Sequence, residues 1–262
     1  MIDLHTHLLP GVDDGSPTLQ HSAMVLGRFG ADGVRGVACT PHLAASDCAN
    51  APVAAHAALR AELQALAPDG LTLYGGWEIM LDAPGALQRL PGMSLGSSRT
   101  VLVEWPRATV PPWGTAELGR LRGNGHVPLV AHVERYHGVT LDIVRAWRSL
   151  GAAIQTDATM LVAGGDKCEF AKSMLTEGLV DVLASDNHGD RRTLAMARWW
   201  LGEIGAGDQA VLLTETNPSR LLRDEAVLPV PGIVFEQDMF QRLRAWWQAR
   251  RTAEVPNSES HD

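Results

Sequence analysis

Short apolar runs recur along the chain, separated by stretches whose apolar residues fall at helical spacing. The runs that read as strands span 2–5, 33–40, 71–78, 101–105, 127–132, 153–156 and 180–185. Amphipathic stretches at 18–30, 51–66, 115–122, 141–150 and 170–177 lie between most of them and read as helices. Repeated β–α units of this length imply a parallel sheet covered by helices, hence an α/β fold. Seven strands, mostly evenly spaced, favour a closed or nearly closed barrel over an open sheet. After the seventh strand the pattern predicts a Trp-bearing helix at 193–204, a short strand at 210–213 and a helix starting near Asn217-Pro218. An Asn cap followed by Pro in the first turn is a helix start signal. A further helix at 237–250 carries Phe240, Leu243, Trp246 and Trp247 along one side, a stripe suited to packing on the barrel or on a second subunit. The polar segment 252–262 reads as a disordered tail. No low-complexity linker interrupts the β–α region, so the expected organisation is one domain at 1–225, a helical extension at 226–251 and the tail.

Composition narrows the class. The chain has 262 residues, 45% of them hydrophobic and 20% charged, which suits a soluble globular protein with a substantial core. A net charge of -8 gives no footing for a general nucleic-acid binder. The longest apolar stretches are strand-length, so no membrane insertion is expected. The start, Met1-Ile2-Asp3-Leu4-His5, lacks the basic region and apolar core of a signal peptide, and the expected location is the cytoplasm. Cys39, Cys48 and Cys168 are odd in number and irregular in spacing. They suggest neither a disulfide framework nor a Cys-rich zinc site.

The candidate chemistry gathers at the strands' C-terminal ends. The first strand ends in His5-Thr6-His7, and alternation along a strand sends His5 and His7 to the same side. Two imidazoles side by side are a ready metal chelate. A loop with Asp13 and Asp14 follows. Later strands end in Thr40-Pro41-His42, Trp77-Glu78, Glu104, His132 and Asp186-Asn187-His188. Six of the seven strands thus bring His, Asp or Glu to one end, the end that carries the active site in α/β barrels. So many facing carboxylates would repel one another, and bound divalent ions resolve the conflict. Imidazole and carboxylate without thiolate suit Mn²⁺, Fe²⁺ or Zn²⁺. The candidate ligands His5, His7, Asp14, His42, Glu78, Glu104, His132, Asp186 and His188 are too many for one ion, so two or three are expected.

The opening from Met1 to Gly15 resembles that of the polymerase-and-histidinol-phosphatase (PHP) superfamily. The nearest branch is the bacterial manganese-dependent tyrosine-protein phosphatases of capsule and exopolysaccharide synthesis. Cys39-Thr40-Pro41-His42, Gly76-Trp77-Glu78, Val103-Glu104, Ala131-His132-Val133-Glu134-Arg135-Tyr136, Ala184-Ser185-Asp186-Asn187-His188 and Thr214-Glu215-Thr216-Asn217-Pro218 carry the likeness further. The resemblance implies a distorted (β/α)7 barrel of PHP type, with extra C-terminal helices, around a three-metal site. His5, His7, Glu78 and Asp186 would hold the first ion. Glu78, Glu104 and His132 would hold the second, and Asp14, His42 and His188 the third. Mn²⁺ is the implied metal, with Fe or Zn as alternatives. Arg135 and either Arg191 or Arg192 would contact the substrate phosphate. The implied substrate is a phosphotyrosine protein, the C-terminal tail of a bacterial polysaccharide-synthesis tyrosine kinase, and a homo-oligomer is possible. Two departures stand out: Val133 follows His132 where the branch has proline, and strand six ends in Gln155-Thr156-Asp157 rather than in an uncharged polar segment.

Rival readings are tested by the same residues. A cysteine-dependent tyrosine phosphatase needs Arg six positions after its nucleophile, but Ala45 follows Cys39 there and Met174 follows Cys168, and Cys48 fares no better. An amidohydrolase would want a bridging lysine at a middle strand. Lys167 and Lys172, the only lysines, fall in a predicted helix. Histidinol phosphate hydrolysis shares the expected metal set and differs in the pocket. A non-catalytic scaffold would leave a complete ligand set without a use.

Overall fold

The computed structural model describes residues 1–87 and 91–235. The expected helix at 237–250 and the tail lie outside the described residues. The strands are β1 (Ile2–Thr6), β2 (Gly36–Cys39), β3 (His42–Ala44), β4 (Thr72–Gly75), β5 (Glu78–Met80), β6 (Thr100–Glu104), β7 (Val127–Val130), β8 (Ala153–Asp157) and β9 (Val182–Ala184). All pair in parallel, in a sheet of order β1-β2-β4 and another of order β3-β5-β6-β7-β8-β9. The α/β class matches the alternation in the sequence.

A closed barrel is not what the ladder forms, because pairing passes to new segments at two places. The expected run 33–40 holds only β2, and β3 follows it as a strand that was not expected, across Thr40-Pro41, where Pro41 has no N–H to give a ladder. The expected run 71–78 breaks at Gly76-Trp77 between β4 and β5. At Gly76 the neighbouring Leu95 side chain packs so close that an added Cβ would sit 2.5 Å from it. The two sheets still meet where β1 passes the end of β9. There the His7 amide donates to Asn187 (2.8 Å) and the Asp186 amide to the His5 carbonyl (3.0 Å).

Helices α1 (Leu19–Ala31), α2 (Val53–Gln64), α3 (Gly114–Gly123), α4 (Leu141–Ser149), α5 (Met160–Ala163), α6 (Asp166–Thr176) and α7 (Leu194–Glu203) connect the strands and follow β9. Thr18, Thr140 and Thr193 cap α1, α4 and α7 with side-chain oxygens that accept from His21, Ile143 and Ala195 amides, each worth about 1 kcal/mol. The expected strand at 210–213 is instead helical. Helix α8 (Gly207–Val211) runs through a π-turn at Leu212–Thr216 into α9 (Asn217–Leu222). A run of four apolar residues is too short for its period to separate strand from helix. Asn217 is not a cap either, since Thr216 before it is already helical. Its buried amide donates to the Asp181 and Leu228 carbonyls (3.1 and 3.0 Å), and its oxygen accepts from the Leu228 amide (2.8 Å).

Alternation sorts the strand side chains. Leu4, Ala38, Leu102, Leu129, Ala153 and Val182 form one cluster. Val101, Val103, Val130, Ile154 and Leu183 turn the other way, with Trp105, Trp147 and the helices. Each buried aliphatic side chain contributes about 1.5–3 kcal/mol. Along the first rows the polarity then changes: Leu102 is followed by Glu104, Ala153 by Gln155 and Asp157, and Val182 by Ala184 and Asp186. Because residues two apart share a face, the floor of the site is apolar and its rim is ionisable. In β1 the register shifts between Asp3 and Thr6. The buried Asp3 carboxyl accepts there from the His5 and Ser185 amides (3.3 and 3.1 Å), and burial pushes its pKa up to about 6.

Candidate metal centre

The expected ligands all arrive in one place. His5 Nε2 and His7 Nε2 lie 3.2 Å apart. His5 Nε2 is 3.2 Å from both Glu78 Oε2 and Asp186 Oδ1, and His7 Nε2 is 3.3 and 3.4 Å from the same two oxygens. His42 Nδ1 lies 3.1 Å from Glu78 Oε2 and 3.5 Å from Glu104 Oε1. His132 Nε2 is 2.7 Å from Glu78 Oε1 and 4.0 Å from Glu104 Oε2. Asp14 Oδ1 is 3.5 Å from Nε2 of both His42 and His188. These residues make four overlapping groups with metal-ligand spacing: His7/Asp14/His42/His188, His5/Glu78/His132, His5/His7/Asp186 and His42/Glu78/Glu104. His42 belongs to two of them, so it stands closer to Glu78 than a member of a separate third set would.

Local backbone explains the convergence. His42 and Glu78 are register partners across β3 and β5, and Met80 is paired with Glu104 across β5 and β6. His132 (φ 33°) and Asp186 (φ 49°) adopt left-handed conformations, which cost a non-glycine residue about 1–3 kcal/mol. Both turns lie just past a strand end and point an ionisable group into the centre. The packing that overrides the local preference is the same packing that builds the site.

The Nδ1 atoms of His5 and His7, turned away from the centre, are committed, whereas His132 Nδ1 is buried without a hydrogen-bond partner. His5 Nδ1 lies 3.1 Å from Gln155 Oε1, which also accepts from the His132 amide (3.2 Å). His7 Nδ1 lies 2.7 Å from Asp13 Oδ2. Both partners are acceptors, so both Nδ1 atoms carry hydrogen, and in the neutral rings both Nε2 lone pairs face the same point. Lone pairs 3.2 Å apart, with two carboxylate oxygens beside them, repel unless a proton or a cation lies between. The donor set therefore fits a divalent ion of the borderline kind.

In the protein alone, protons supply that balance. Burial opposes charge on His7, but its hydrogen bonds to Asp13, Asp186 and Glu78 raise its pKa to about 11. Hydrogen bonds to Glu104 and Glu78 raise His42 to about 10. Burial works against ionising Glu78 and Asp186, yet the surrounding imidazoles, with Arg135 beside Asp186, hold both below the usual carboxylate range. Burial and the His7 charge lower His188.

Arg135 and Arg192 stand at the rim. Arg135 Nη2 donates to Asp157 Oδ2 (2.5 Å) and Asp186 Oδ2 (2.6 Å). Arg192 donates to Asp186 Oδ2 (3.1 Å) and Asp190 Oδ2 (2.7 Å), and its Nη2 lies 2.9 Å from His188 Nδ1. Arg191 is exposed, so of the two neighbouring arginines it is Arg192 that reaches the centre. Asp157, which departs from the expected uncharged segment, is fully buried and grips Arg135. Glu134 is buried beside it. Desolvation and the Asp157 charge push its pKa up to about 8. A cavity of about 230 Å³ opens over the ligands, walled by Trp105, Ala108 and Tyr136 with Arg135 at its edge. The three cysteines are buried. Burial pushes the Cys39 thiol up to about 12 and the Cys48 thiol to about 11, so neither is a thiolate near neutrality.

Comparison with known proteins places this centre in a lineage. Residues 1–223 match the family described as "Capsular polysaccharide synthesis, CpsB/CapC". The chain belongs to the CpsB/CapC family. Among its relatives is the tyrosine-protein phosphatase YwqE of Bacillus subtilis, 25% identical over 241 residues that cover 88% of this chain and 95% of the relative. Another is the tyrosine-protein phosphatase CpsB of Streptococcus pneumoniae, 27% identical over 243 residues, covering 87% and 100%. A solved structure from a study of YwqE and CpsB, described as metal-dependent tyrosine phosphatases, superposes with a TM-score of 0.73 at 22% identity. It covers 90% of this chain and all of that one. The CpsB/CapC match ends at residue 223, just past α9, so it takes in every residue of the centre and Asn217.

Sequence reasoning missed two members of the centre. Asp13 was visible as a loop carboxylate and Gln155 as part of the sixth strand's end, but neither was assigned a task. The signal for Gln155 was its parity with Asp157 and Ala153 on one strand face. For Asp13 it was its place, six residues after His7.

Proposed function

We propose that this protein is a metal-dependent phosphomonoester hydrolase, and specifically a protein-tyrosine phosphatase acting on the C-terminal tail of a bacterial polysaccharide-synthesis tyrosine kinase. Family membership and the names of the relatives support this reading. The observation that carries it is the set of donor separations of 3.2–3.4 Å linking His5 and His7 to each other and to Glu78 and Asp186. Four such atoms can share one ion. We assign His5, His7, Glu78 and Asp186 to the first ion, Glu78, Glu104 and His132 to the second, and Asp14, His42 and His188 to the third. Mn²⁺ is the preferred metal, with Fe or Zn as alternatives. In the same reading residues 1–225 are the catalytic domain, 226–251 an extension and 252–262 a tail. The split sheets are then a distorted PHP-type (β/α)7 barrel in which β2 with β3, and β4 with β5, each count as one interrupted strand. The reaction belongs in the cytoplasm.

Bound divalent ions lower the pKa of the attacking water and neutralise phosphoryl oxygens. The chain's own groups do the rest. Arg135 and Arg192 bring planar cations to the rim, where charge-assisted hydrogen bonds hold phosphate oxygens as charge develops. Asp157 and Asp186 keep the Arg135 fork in place before substrate arrives. The Trp105 and Tyr136 side chains give an aryl ring an apolar wall. A tyrosine leaving group has a pKa of about 10, so it needs less proton assistance than an alkyl alcohol. That suits a centre whose carboxylates are held ionised.

With Mn²⁺, the purified chain is expected to hydrolyse p-nitrophenyl phosphate and a phosphotyrosine peptide, and His42→Ala to abolish both activities. Turnover of histidinol phosphate without turnover of the peptide would overturn the tyrosine assignment. Absence of phosphatase activity with any divalent metal would sink the enzyme reading.

A further inference from the structure

A cavity beside β4 does not belong to the metal centre. It encloses about 450 Å³ between α2, the β4 end and the loop at 92–97, within the range of small-ligand sites. Arg60, His56, Tyr74, Ser94, Ser97 and Trp77 line it. The chain carries a net charge of -8, yet no carboxylate is among the lining residues.

Of these groups Trp77 is committed, its Nε1 donating to the Gly92 carbonyl (2.9 Å). Among the described residues, the Arg60 guanidinium and the Tyr74, Ser94 and Ser97 hydroxyls have no hydrogen-bond or ion-pair partner, whereas most other described arginines are paired. His56 is stacked on Trp77, with ring centroids 4.6 Å apart and planes 30° apart, and its Nδ1 is buried without a hydrogen-bond partner. The Arg60 guanidinium approaches Gly75 end-on, so that an added Cβ would collide with Nη1. A glycine there lets the guanidinium reach the backbone at the cavity wall. A rigid five-donor cation, three hydroxyls and an imidazole match a tetrahedral oxyanion, whose several acceptor oxygens can use them all. Tyr74 and Trp77 add an aromatic wall, and the volume exceeds what the anion alone needs.

We propose that this cavity is a second phosphoryl-binding site, distinct from the metal centre, built to take a phosphate group carried on an aromatic ring. Arg60 forms the charge-assisted contact, the hydroxyls complete the oxyanion shell, and Tyr74 with Trp77 pack against the ring. Free phosphate shares the charged part of this chemistry and lacks the ring.

The test uses the full metal-loaded chain. Crystals soaked in tungstate, a phosphate mimic, should show an anomalous peak beside Arg60 in addition to any peak at the metal centre. The Arg60 peak should vanish in Arg60→Met and weaken in Arg60→Lys. In solution, titration with a non-hydrolysable phosphonomethyl analogue of phosphotyrosine should show one binding event at least 10-fold weaker in Arg60→Met than in the parent. The parent should bind the analogue at least 10-fold more tightly than inorganic phosphate at that site. Unchanged p-nitrophenyl phosphate hydrolysis by Arg60→Met reports that the variant is folded. A tungstate peak at the metal centre alone, with superimposable titrations of parent and variant, overturns the proposal. Equal binding of phosphate and analogue overturns the aromatic part of it. None of these binding readouts needs turnover, so failure of the phosphatase reading would leave the tungstate result standing on its own.

Discussion

Gln155 and Asp13 do for His5 and His7 what a ligand cannot do for itself. An imidazole can present either nitrogen, and the partner on Nδ1 decides which lone pair faces the centre. Gln155 Oε1 is further fixed by the His132 amide, so one side chain orients two neighbouring ligands. Outer partners of this kind typically contribute 10–100-fold to metal affinity. Gln155→Leu and Asp13→Ala are each expected to weaken Mn²⁺ binding by about that factor while leaving the ligands in place, as measured by calorimetric titration. Affinity unchanged in both variants would mean that the strand packing alone sets the tautomers. At this scale the ligands were legible because strand-end His, Asp and Glu residues need only alternation to be placed on one side. The orienting groups were not, because a glutamine or a loop aspartate acquires its role from a neighbour 150 residues away or from a turn. The choice between Arg191 and Arg192 was open for the same reason. Adjacent residues in a loop have no periodicity, and only the fold directs Arg192 to Asp186 and His188.

The α8–π-turn–α9 segment shows how an element can carry a motif without touching the chemistry. Thr214-Glu215-Thr216-Asn217-Pro218 reads as a helix start, but the helix is already running when it reaches Asn217. What the asparagine does is pin residue 228 and the Asp181 carbonyl together, just ahead of β9, the strand that leads to Asp186. Asp181 is itself held by Arg148 (2.8 Å) and the Ile154 amide (2.9 Å), so α4, β8, β9 and α9 share one buried polar joint. Removing one side of such a joint leaves buried groups unsatisfied, at about 1–3 kcal/mol. Asn217→Ala should therefore lower the melting temperature by roughly 2–12 °C, given about 2–4 °C per kcal/mol for a chain of this size. Its KM for p-nitrophenyl phosphate should stay as in the parent. A melting point within 1 °C of the parent would show that the joint is redundant. The parallel strands and their order of appearance were readable from the sequence, since β–α repeats and apolar runs dictate them. The breaks at Pro41 and Gly76 were not, because a seven-run pattern does not reveal where a ladder loses its register.

Across the molecule, the candidate ligands come from the ends or trailing turns of β1, β3, β5, β6, β7 and β9, together with the loop after β1. Ions bound there would tie both sheets at the end where neither closes on the other by a full ladder. Metal that binds only the folded state adds about 2.7 kcal/mol at a free concentration 100-fold above its dissociation constant, or roughly 5–11 °C in melting temperature. The direction of the pH dependence follows from the histidines. The folded pKa values of His7 and His42 are raised, to about 11 and about 10, against about 6.5 in the unfolded chain. In metal-free protein the stability they contribute is complete below about pH 6.5. It is lost as pH rises towards 10–11. A metal ligand must be deprotonated, so ion binding expels those protons and grows stronger as pH rises through the same window. Treatment with a chelator should consequently lower the melting temperature, and by more at pH 8 than at pH 6. Titration of metal-free protein with Mn²⁺ at pH 7.5, in buffers of different ionisation enthalpy, should register net proton release. Proton uptake, or a chelator effect larger at pH 6, would show that the imidazoles are not the groups the ions displace protons from.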